Sequence, residues 1–382
     1  MLIGIDARFY GLIGKGLGRY TQKLIEHLET IDDENQYVVF LRKENFDDYH
    51  PYSKNFTKVL ADYRWYSFSE QVLFPKLLSE YKFDLMHFPH FNVPLMYRGN
   101  FVLTIHDLIL LHFPTLRATL LNPFFYWIKY AAYKWVIGSA VRRAKKIIAV
   151  SEFTKNDIIG QYPRAKEKIV VTYEASDDLC RISNVSPHLI LEKYGIIKPY
   201  LLYVGNAYPH KNLEKLIDAF ELILVKYPSM QLALVGKEDF FYKRLRYYCI
   251  RKNISSVHFL GFVSDQDLDV LYRFSNAYVF PSLYEGFGLP PLEAMAKGTV
   301  VVSSDHACMR EVLGEAAWFA DAQKHENFAQ GVLKVLDDKL LQQELIQKGY
   351  SQIKKYNWEK MAKETLLVYT NANVNKKQIS KE

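Results

Sequence analysis

The sequence predicts an α/β protein made of two doubly wound parallel-sheet domains in tandem. The chain has 382 residues, more than one hydrophobic core usually supports. Short apolar runs alternate with helical patterns along most of this length. The runs are apolar nearly throughout, which is typical of strands in parallel sheets covered by helices on both faces.

The predicted strands fall into two sets. In the first half they are LIGID, YVVFLR, DLMHF, FVLTIHD, KIIAVS and KIVVTY, and in the second half YLLYVGN, LALVG, VHFLGF, AYVFPS and TVVVSS. The region Ser176 to Pro199, rich in Asp, Ser, Asn and Pro, interrupts this rhythm and is the predicted linker. We therefore predict domains at 1–180 and 181–360, followed by a C-terminal segment at 361–382 that ends in a polar tail.

Composition excludes several classes of protein. An apolar fraction of 49% and a charged fraction of 24% are typical of a folded globular protein. Cys180, Cys249 and Cys308 are far apart and form no Cys-x-x-Cys pair, so neither a disulfide framework nor a zinc site is predicted. The N-terminus shows no secretion signal, and every window of about 20 residues contains charge. These features favour a cytoplasmic protein.

The first candidate site is the stretch LYEGFGLPPLEA, which follows the strand AYVFPS. Ligands of open α/β sheets bind beyond the carboxyl ends of the strands. The double proline suits the first turn of a helix, and Gly286 and Gly288 leave the backbone amides before it accessible to phosphate. Glu293 and Glu285 can each accept hydrogen bonds from the hydroxyl groups of a ribose and of a second sugar. Together these groups predict a nucleotide-sugar site; the alternative is that Glu293 is a surface charge near a helix start.

A second candidate follows the strand YLLYVG, in GNAYPHKNLEKLIDAF. Asn212 is predicted to cap a helix whose apolar residues recur at helical spacing. Lys211 directly precedes this cap, so its ammonium group could neutralise a diphosphate as the leaving group departs. The alternative is a solvated lysine, the usual state of this residue.

Two more candidates lie in the first half of the chain. Gly14, Gly16 and Gly18 are predicted to form a loop that opens a helix, although GKGLG matches neither the dinucleotide-binding fingerprint nor the Walker pattern. A surface turn is the alternative. His106 directly follows an apolar strand in LTIHDL, where it could donate to a sugar hydroxyl or an oxyanion. The alternative there is a packed histidine.

Charge is unevenly distributed in this chain of net charge +7, because no acidic residue occurs between Asp107 and Glu152. The basic residues of this acid-free span are Arg117, Lys129, Lys134, Arg142, Arg143, Lys145 and Lys146. On a helical wheel, one face carries Phe124, Ile128, Ala131, Ala132 and Trp135, and the opposite face carries Tyr126, Tyr130, Tyr133 and Ile137. We predict that one face packs on the sheet, and that the tyrosine face contacts an anionic bilayer or a lipid-linked acceptor. Burial of both faces is the alternative.

These motifs together resemble a known family. YEGFGLPPLEA matches the E-x7-E signature of the retaining glycosyltransferases of family 4, also described as glycosyl transferases group 1. The resemblance covers nearly the whole chain through TIHDL, AVSEFTKNDI, YVGNAYPHKN, HFLGFVSDQDL, SSDHACMREVLGEAAWF and YNWEKMAKETLLVY, in this order. It implies the GT-B fold: two Rossmann-like domains with a cleft between them, and a C-terminal helix that crosses back to the N-terminal, acceptor-binding domain.

The resemblance also implies roles for particular residues. Glu293 would hold the donor ribose and Glu285 the hydroxyls of the donor sugar, while Lys211 would neutralise the diphosphate. His106 would reach across the cleft to the transferred sugar. The remaining donor contacts would come from Gly16, Gly18, Gly205, Asn206, the backbone near Phe262 and Val263, and the amides of Phe287, Gly288 and Leu289.

The chain departs from the family pattern at one position. Asn206 stands where many members have an arginine, so neutralisation of the leaving group would rest on Lys211, the helix dipole and His210. Charge-assisted hydrogen bonds contribute roughly 1.5–3 kcal/mol each, against about 1 kcal/mol for neutral ones. Without the arginine, the leaving group therefore loses one charge-assisted hydrogen bond that would stabilise it.

No metal ion and no cofactor are predicted. The D-x-D at Asp267 and Asp269 follows Ser264, a predicted N-cap, so a helix start explains it better than metal binding. Family members are thought to transfer with retention by front-face attack, in which the leaving diphosphate takes the acceptor's proton.

The predicted function is transfer of a hexose from a nucleotide diphosphate-sugar, with GDP-mannose as the first choice. The acceptor would be a glycan or a polyprenyl-linked oligosaccharide at the cytoplasmic face of the membrane, and no nucleic acid partner is expected. Two alternatives are a GT-B-fold sugar-nucleotide epimerase, against which the E-x7-E match argues, and a non-catalytic binder of anionic lipid. The second would leave the donor-site residues without a role.

Overall fold

The computed structural model describes residues 1–114, 123–176 and 186–374, without the side chains of Leu12, Lys15, Pro123, Phe125 and Val374. Arg117, Cys180 and the predicted polar tail lie outside the described residues. The chain divides into two compact units, the first formed by Met1–Glu174 with the chain from Asn357 onward, and the second by Ala175–Tyr356. The domain boundaries therefore fall at 174/175 and 356/357, near the predicted 180/181 and 360/361. The described residues of the predicted linker, 176 and 186–199, all belong to the second unit.

The first unit is built around a seven-stranded parallel sheet of order β3-β2-β1-β4-β5-β6-β7. Its strands are β1 Leu2–Asp6, β2 Gln36–Leu41, β3 Phe56–Leu60, β4 Leu85–Phe88, β5 Phe101–Ile105, β6 Lys146–Ala149 and β7 Ile169–Val171. Its helices are α1 Lys15–Ile31, α2 Phe68–Ser79, α3 Ile109–His112, α4 Pro123–Arg143, α5 Glu152–Gln161 and α14 Trp358–Val374, with 3-10 turns at Gly11–Gly14 and Pro163–Lys168. The central strands β4 and β5 are buried along their whole length.

The second unit is built around a six-stranded parallel sheet of order β10-β9-β8-β11-β12-β13. Its strands are β8 Tyr200–Val204, β9 Gln231–Val235, β10 Val257–Gly261, β11 Ala277–Phe280, β12 Val301–Ser304 and β13 Ala317–Ala320. Its helices are α6 Pro187–Lys193, α7 Leu213–Lys226, α8 Phe240–Arg251, α9 Asp265–Phe274, α10 Leu289–Ala296, α11 Ala307–Leu313, α12 His325–Asp337 and α13 Lys339–Ile353, with a 3-10 turn at Pro209–Lys211. The predicted fold class, two doubly wound α/β domains, is confirmed.

Two strands escape the sequence prediction, β3 and β13, and both lie at a sheet edge. The residues of β3 are mostly half-buried or exposed, and the two central residues of β13 are half-buried. In β3, the polar residues Thr57 and Lys58 interrupt the apolar run that predicted the other strands. β13 is a run of four apolar residues, AWFA, but it contains none of the β-branched residues that are typical of strands.

The last helix, α14, belongs to the first unit, as the predicted return of the chain requires. It packs against α1 and against the strands β4, β5 and β6. The hydroxyl of Tyr369 lies 2.7 Å from Nδ1 of the buried His87. Burial, with a contribution from the charge of His106, lowers the pKa of His87 to about 3, so this ring is neutral at neutral pH.

The orientation of helix α4 differs from the prediction, in which the tyrosine face contacts a bilayer and the other face packs on the sheet. The tyrosine face is the one that packs, because Ile137 is fully buried and the ring centres of Tyr133 and Phe91, both packed against the core, lie 5.0 Å apart. The opposite face is exposed, with Phe124, Ile128 and Trp135 at 68%, 51% and 64%. The helical wheel separated the two faces correctly, but both are aromatic, so composition alone could not show which one meets the sheet. Within the described ranges, no helix has the length and apolar character needed to cross a membrane.

Candidate active site

The two loops predicted to bind a donor meet in the second unit. They follow β8 and β11, which are neighbours in the middle of the sheet, where the strand order reverses. This switch point is where open α/β sheets bind ligands. The amide N–H of Leu283 donates to the carbonyl of His210 at 2.8 Å, which joins one loop to the other. The structure thus brings together residues more than 70 positions apart in the chain.

Lys211 and Glu285 form an ion pair at this point. The Lys211 Nζ donates to Oε1 of Glu285 at 2.6 Å, and the two side chains are only 14% and 9% exposed. The ammonium group also lies 5.7 Å from the centre of the Phe280 ring. Removal of one partner from so buried a pair would leave an uncompensated charge. Lys211 is therefore not the solvated lysine of the alternative interpretation.

Asn212 occupies the position before α7, but it does not cap the helix as predicted. Its backbone adopts a left-handed conformation with φ of +63°, and its side chain makes no capping hydrogen bond. The side-chain amide instead donates to the carbonyl oxygens of Pro281 at 3.3 Å and Ala322 at 2.7 Å. Asn212 thus ties the loop that carries Lys211 to the loops after β11 and β13.

The start of α10 has the predicted geometry. The helix begins at Leu289, so the double proline stands in its first turn. Gly288 precedes the helix with φ of +93°, and a Cβ atom there would lie 2.5 Å from Cε of Met309. Glycine is therefore required at this position both by the backbone conformation and by packing. Since the prolines carry no N–H, the amide donors at this helix start come from Leu289 and the residues before it.

Glu293 lies in α10 and is half-buried. Its Oε2 accepts a hydrogen bond from the hydroxyl of Tyr272 at 3.0 Å, and Tyr272 is itself 2% exposed. A second hydrogen bond, from the Thr299 hydroxyl to the carbonyl of Tyr272, fixes the backbone of the tyrosine. Glu293 is therefore held by a buried partner, and the alternative of an unconstrained surface charge is wrong for this structure.

The gap left by the missing arginine is not filled by His210. Burial, with the adjacent Lys211 charge, lowers the pKa of His210 to about 4, although Glu285 opposes the shift. The ring is thus neutral at neutral pH and adds no positive charge. Asn206 accepts a hydrogen bond from the amide of Tyr208 at 3.3 Å, and Gly205 has φ of +151°, which turns the chain at the end of β8. Of the cations predicted for this site, only Lys211 is present at neutral pH.

The other predicted donor contacts are divided among several elements. Phe287 is buried against Tyr356, with ring centres 5.4 Å apart, so its side chain packs while its backbone belongs to the loop before α10. Val263 is buried and Phe262 is 72% exposed. Both follow β10, which lies two strands from β8 along the same carboxyl edge.

The D-x-D motif is explained by its protein partners. Ser264 caps α9 as predicted, accepting from the amide of Asp267 at 3.3 Å. Burial raises the pKa of Asp267, but hydrogen bonds from Lys193 and Tyr194, at 2.6 and 2.8 Å, lower it overall.

Asp269 is bound in the same way. Arg273 and Lys297 each lie 2.6 Å from one of its carboxylate oxygens. Across the described part of the chain, no cluster of three or more His, Cys, Asp or Glu residues is arranged to hold a metal ion.

The glycines of the first unit differ from the predicted loop. Helix α1 begins at Lys15, so Gly16 and Gly18 lie inside its first turn and only Gly14 precedes it. A Cβ atom on Gly18 would lie 2.0 Å from the carbonyl oxygen of Gly11 and 2.4 Å from that of Phe9, so this glycine is needed for packing. Gly16 is exposed, with open space beside its Cα. Of the two predicted ligand contacts, only Gly16 is accessible.

His106 is held by two acceptors within the first unit. Its Nδ1 lies 2.8 Å from Oε1 of Glu174, and its Nε2 lies 3.0 Å from the carbonyl oxygen of Pro89. Both ring nitrogens thus face oxygen atoms, an arrangement that favours the protonated imidazole. Burial lowers the pKa of His106, but the hydrogen bond and charge of Glu174 raise it overall. The donor role predicted for this ring would require the release of one of these hydrogen bonds.

Two residues that are hydrogen-bonded to candidate site residues were not predicted from the sequence. Tyr272 lies in α9, 21 residues before Glu293, and nothing in the sequence links the two. Glu174, by contrast, stands just beyond β7, on the same carboxyl edge as His106 after β5. The rule that function lies at strand ends could have identified Glu174.

Two parallel-sheet α/β units, with the candidate residues gathered at the switch point of the second sheet, are the architecture of glycosyltransferases of the GT-B type. Comparison with family models agrees. The Glycosyltransferase Family 4 model matches residues 14–177, and the model for Glycosyl transferases group 1 matches residues 190–352. The two models match consecutive parts of one chain, which therefore belongs to the family 4, or group 1, glycosyltransferases.

Similar proteins extend over nearly the whole chain. O-antigen chain mannosyltransferase B of Escherichia coli is 28% identical over 375 residues, which cover 93% of this chain and 95% of that protein. O-antigen chain mannosyltransferase RfbU of Salmonella typhimurium is 26% identical over 345 residues, covering 85% and 88%. Among solved structures, the sucrose-phosphate synthase of Thermosynechococcus elongatus has a TM-score of 0.76 at 19% identity, covering 97% of this chain and 98% of that one. This last similarity concerns the fold.

Proposed function

We propose that this chain is a retaining, metal-independent hexosyltransferase that acts in the synthesis of a cell-surface polysaccharide. The observation that carries the proposal is the grouping of Lys211, Glu285 and the start of α10 at the switch point of the second sheet, with Glu293 in the same helix. GDP-mannose is the proposed donor, because the two relatives described above are named as O-antigen mannosyltransferases. The acceptor is a glycan or a lipid-linked oligosaccharide.

Each donor-site group has a distinct task in this proposal. Glu293, oriented by Tyr272, accepts hydrogen bonds from the two ribose hydroxyls. The amides before α10 and the positive end of its dipole bind the diphosphate, and Lys211 stabilises the charge that develops on it as the glycosidic bond breaks. Glu285 accepts hydrogen bonds from the sugar hydroxyls. The departing diphosphate oxygen takes the proton of the acceptor hydroxyl, which attacks from the same face of the sugar.

The first unit offers a surface suited to a sugar acceptor. Phe9 follows β1, at the point where the strand order reverses, and it stacks on Trp65, which lies between β3 and α2, with ring centres 4.3 Å apart. Tyr66, the next residue, is 64% exposed. Aromatic faces provide rigid apolar area against which the C–H faces of a sugar ring can pack. We propose that this aromatic group contributes to the acceptor site.

The proposal is tested with a panel of nucleotide-sugars that includes GDP-mannose and several UDP-sugars. Release of nucleoside diphosphate is followed with and without a lipid-linked acceptor, and the anomeric configuration of the product is determined by NMR. Acceptor-dependent release with a retained configuration supports the proposal. An inverted product, interconversion of the nucleotide-sugar without an acceptor, or binding without turnover for every donor would contradict it.

The two glutamates are expected to separate nucleotide binding from sugar transfer. Glu293→Ala should weaken the affinity for the free nucleoside diphosphate about 10- to 100-fold, because it removes charge-assisted hydrogen bonds to the ribose. Glu285→Ala should change that affinity little and lower kcat/KM for the nucleotide-sugar about 100-fold. Isothermal titration calorimetry and steady-state kinetics measure the two quantities.

Glu315→Ala is a matched control, because the Glu315 side chain is 89% exposed on the same unit. This variant should behave as wild type in both measurements. If Glu293→Ala and Glu285→Ala bind nucleotide normally and differ from wild type only in stability, the assignment of these two glutamates to the donor site is wrong.

Turnover is expected to persist in excess chelator. The carboxylates of Asp267 and Asp269 are paired with four protein donors, two each. A metal ion would have to displace those donors. The measurement compares kcat after dialysis against EDTA with kcat in added Mg²⁺ or Mn²⁺. A strict requirement for either ion would refute metal independence.

A further inference from the structure

The exposed face of helix α4 is unusual for a globular protein. Phe124, Ile128 and Trp135 follow one another along this face, and the neighbouring Trp127 is also 51% exposed. Ala131 and Ala132, which lie between them, are exposed as well. Single exposed apolar residues are common, but a contiguous apolar patch usually marks a surface that binds something. We call these six residues the α4 face.

The α4 face does not belong to the hydrophobic core of the first unit. The packing of the helix is supplied by its other side, where Tyr133 contacts Phe91 and Ile137 is fully buried. The rings of Tyr126 and Tyr130 stack at 6.4 Å along that same side. The helix is therefore already anchored to the first unit, and its exposed aromatic residues are not needed for folding.

Positive charge surrounds the α4 face. Lys129 and Lys134 are both exposed and flank it on either side of the helix. At the C-terminal end of the helix, Arg142 and Lys145 are exposed, and Nζ of Lys168 donates to the carbonyl of Arg142 at 2.8 Å. The sequence from 108 to 151 contains no acidic residue that would oppose this charge.

Arg143 does not contribute to this surface, contrary to the prediction. Its guanidinium donates to the carbonyl of Tyr97 at 2.5 Å and lies 5.5 Å from the centre of the Phe101 ring. It therefore has a structural role between α4 and the chain that precedes β5. Experiments on the charge of this region should leave it unchanged.

We propose that the α4 face binds the interfacial region of an anionic lipid bilayer. Tryptophan and phenylalanine beside flanking lysines suit the boundary between head groups and acyl chains, where the rings insert and the ammonium groups stay with the phosphates. The face spans about three helical turns, which fits a helix lying in the plane of the interface. A protein partner would need acidic residues arranged around an apolar centre. An anionic bilayer offers negative head groups beside apolar acyl chains over its whole surface. This inference is independent of the proposed sugar transfer.

The test is co-sedimentation with vesicles of phosphatidylcholine alone or mixed with phosphatidylglycerol, at low and high salt. Binding to the mixed vesicles should be at least about tenfold tighter, because each basic residue near an anionic surface adds a favourable contribution. High salt should weaken this binding without abolishing it, since salt screens the charges but does not remove the burial of aromatic side chains.

Two variants separate the contributions of the α4 face. Ile128→Ser/Trp135→Ser removes apolar surface and should abolish pelleting, and Lys129→Ser/Lys134→Ser/Arg142→Ser should remove the preference for anionic vesicles. Phe68→Ser is the matched control, because Phe68 is 85% exposed in α2 of the same unit. Release of nucleoside diphosphate in the absence of vesicles should be the same in all three variants.

Three results would overturn the inference. The first is negligible pelleting of the wild-type protein with both kinds of vesicle. The second is pelleting that survives Ile128→Ser/Trp135→Ser, which would place the lipid contact elsewhere. The third is self-association without lipid, detected by analytical ultracentrifugation and lost in that variant, which would make the α4 face an interface between copies of the chain.

Discussion

Lys211→Ala is expected to lower kcat about 10²–10³-fold. The estimate is the usual effect of removing one preorganised donor from the group on which charge develops. The effect should be at the upper end of this range, because His210 is neutral and Asn206 replaces the arginine of many family members. The measurement is release of nucleoside diphosphate under saturating donor, together with the binding affinity for the free diphosphate.

Loss of Lys211 also leaves Glu285 buried without its cation, so stability must be measured in parallel. Assays should be run well below the unfolding temperature of the variant. Added methylammonium should then restore part of the turnover of Lys211→Ala, since a small cation can enter the vacated position. Lys215→Ala is the control, because Lys215 is 45% exposed in α7, the helix that follows the loop of Lys211, and lies 3.8 Å from Asp218. A kcat of Lys211→Ala within about threefold of wild type would exclude the proposed role.

The fold was predictable because most of its signal is local. Buried parallel strands such as β5 are continuous apolar runs, and the polar stretches between them mark where each strand ends. The edge strand β3 lacks that signal because Thr57 and Lys58 interrupt it, and the short β13 contains no β-branched residue. The orientation of α4 could not be predicted for a different reason. Both of its faces carry aromatic residues, so the choice depends on contacts such as Tyr133 with Phe91 that the sequence does not contain.

The candidate site was predictable where its chemistry lies at strand ends. Lys211 and Glu285 were each identified from the loop that follows a strand, and the neighbouring positions of β8 and β11 explain why the two meet. Their ion pair and the contact of Tyr272 with Glu293 depend on tertiary geometry. The glycines of α1 show a different limit of the sequence, because a glycine needed for packing can look like one that binds a ligand. Gly18 resembles a ligand-binding glycine in sequence, but the close backbone of Phe9 and Gly11 requires it.

A buried charge network in the first unit was not predicted at all. The guanidinium of Arg8 lies 2.7 Å from Oδ2 of Asp6 and 2.8 Å from Oε1 of Glu70, and both Arg8 and Glu70 are fully buried. It also lies 4.1 Å from the centre of the Phe74 ring. Arginine is rarely fully buried, so no pattern in the sequence indicates that Arg8 lies in the core. The two carboxylates explain the exception, because they balance its charge and occupy its N–H groups.

Arg8→Met is expected to lower the free energy of unfolding of the first unit by about 3–5 kcal/mol, because two buried carboxylates lose their shared cation. Four of the five tryptophans, Trp65, Trp127, Trp135 and Trp358, belong to this unit, so denaturant unfolding followed by tryptophan fluorescence reports mainly on it.

Two further variants show whether the charge of Arg8 is responsible. Arg8→Lys keeps the charge but loses the bidentate contact with Asp6, and it should recover part of the stability. Lys23→Met, which breaks an i,i+3 pair with side-chain exposures of 24% and 37%, should cost less than about 1 kcal/mol. If Arg8→Met is no more costly than Lys23→Met, the two carboxylates do not depend on Arg8.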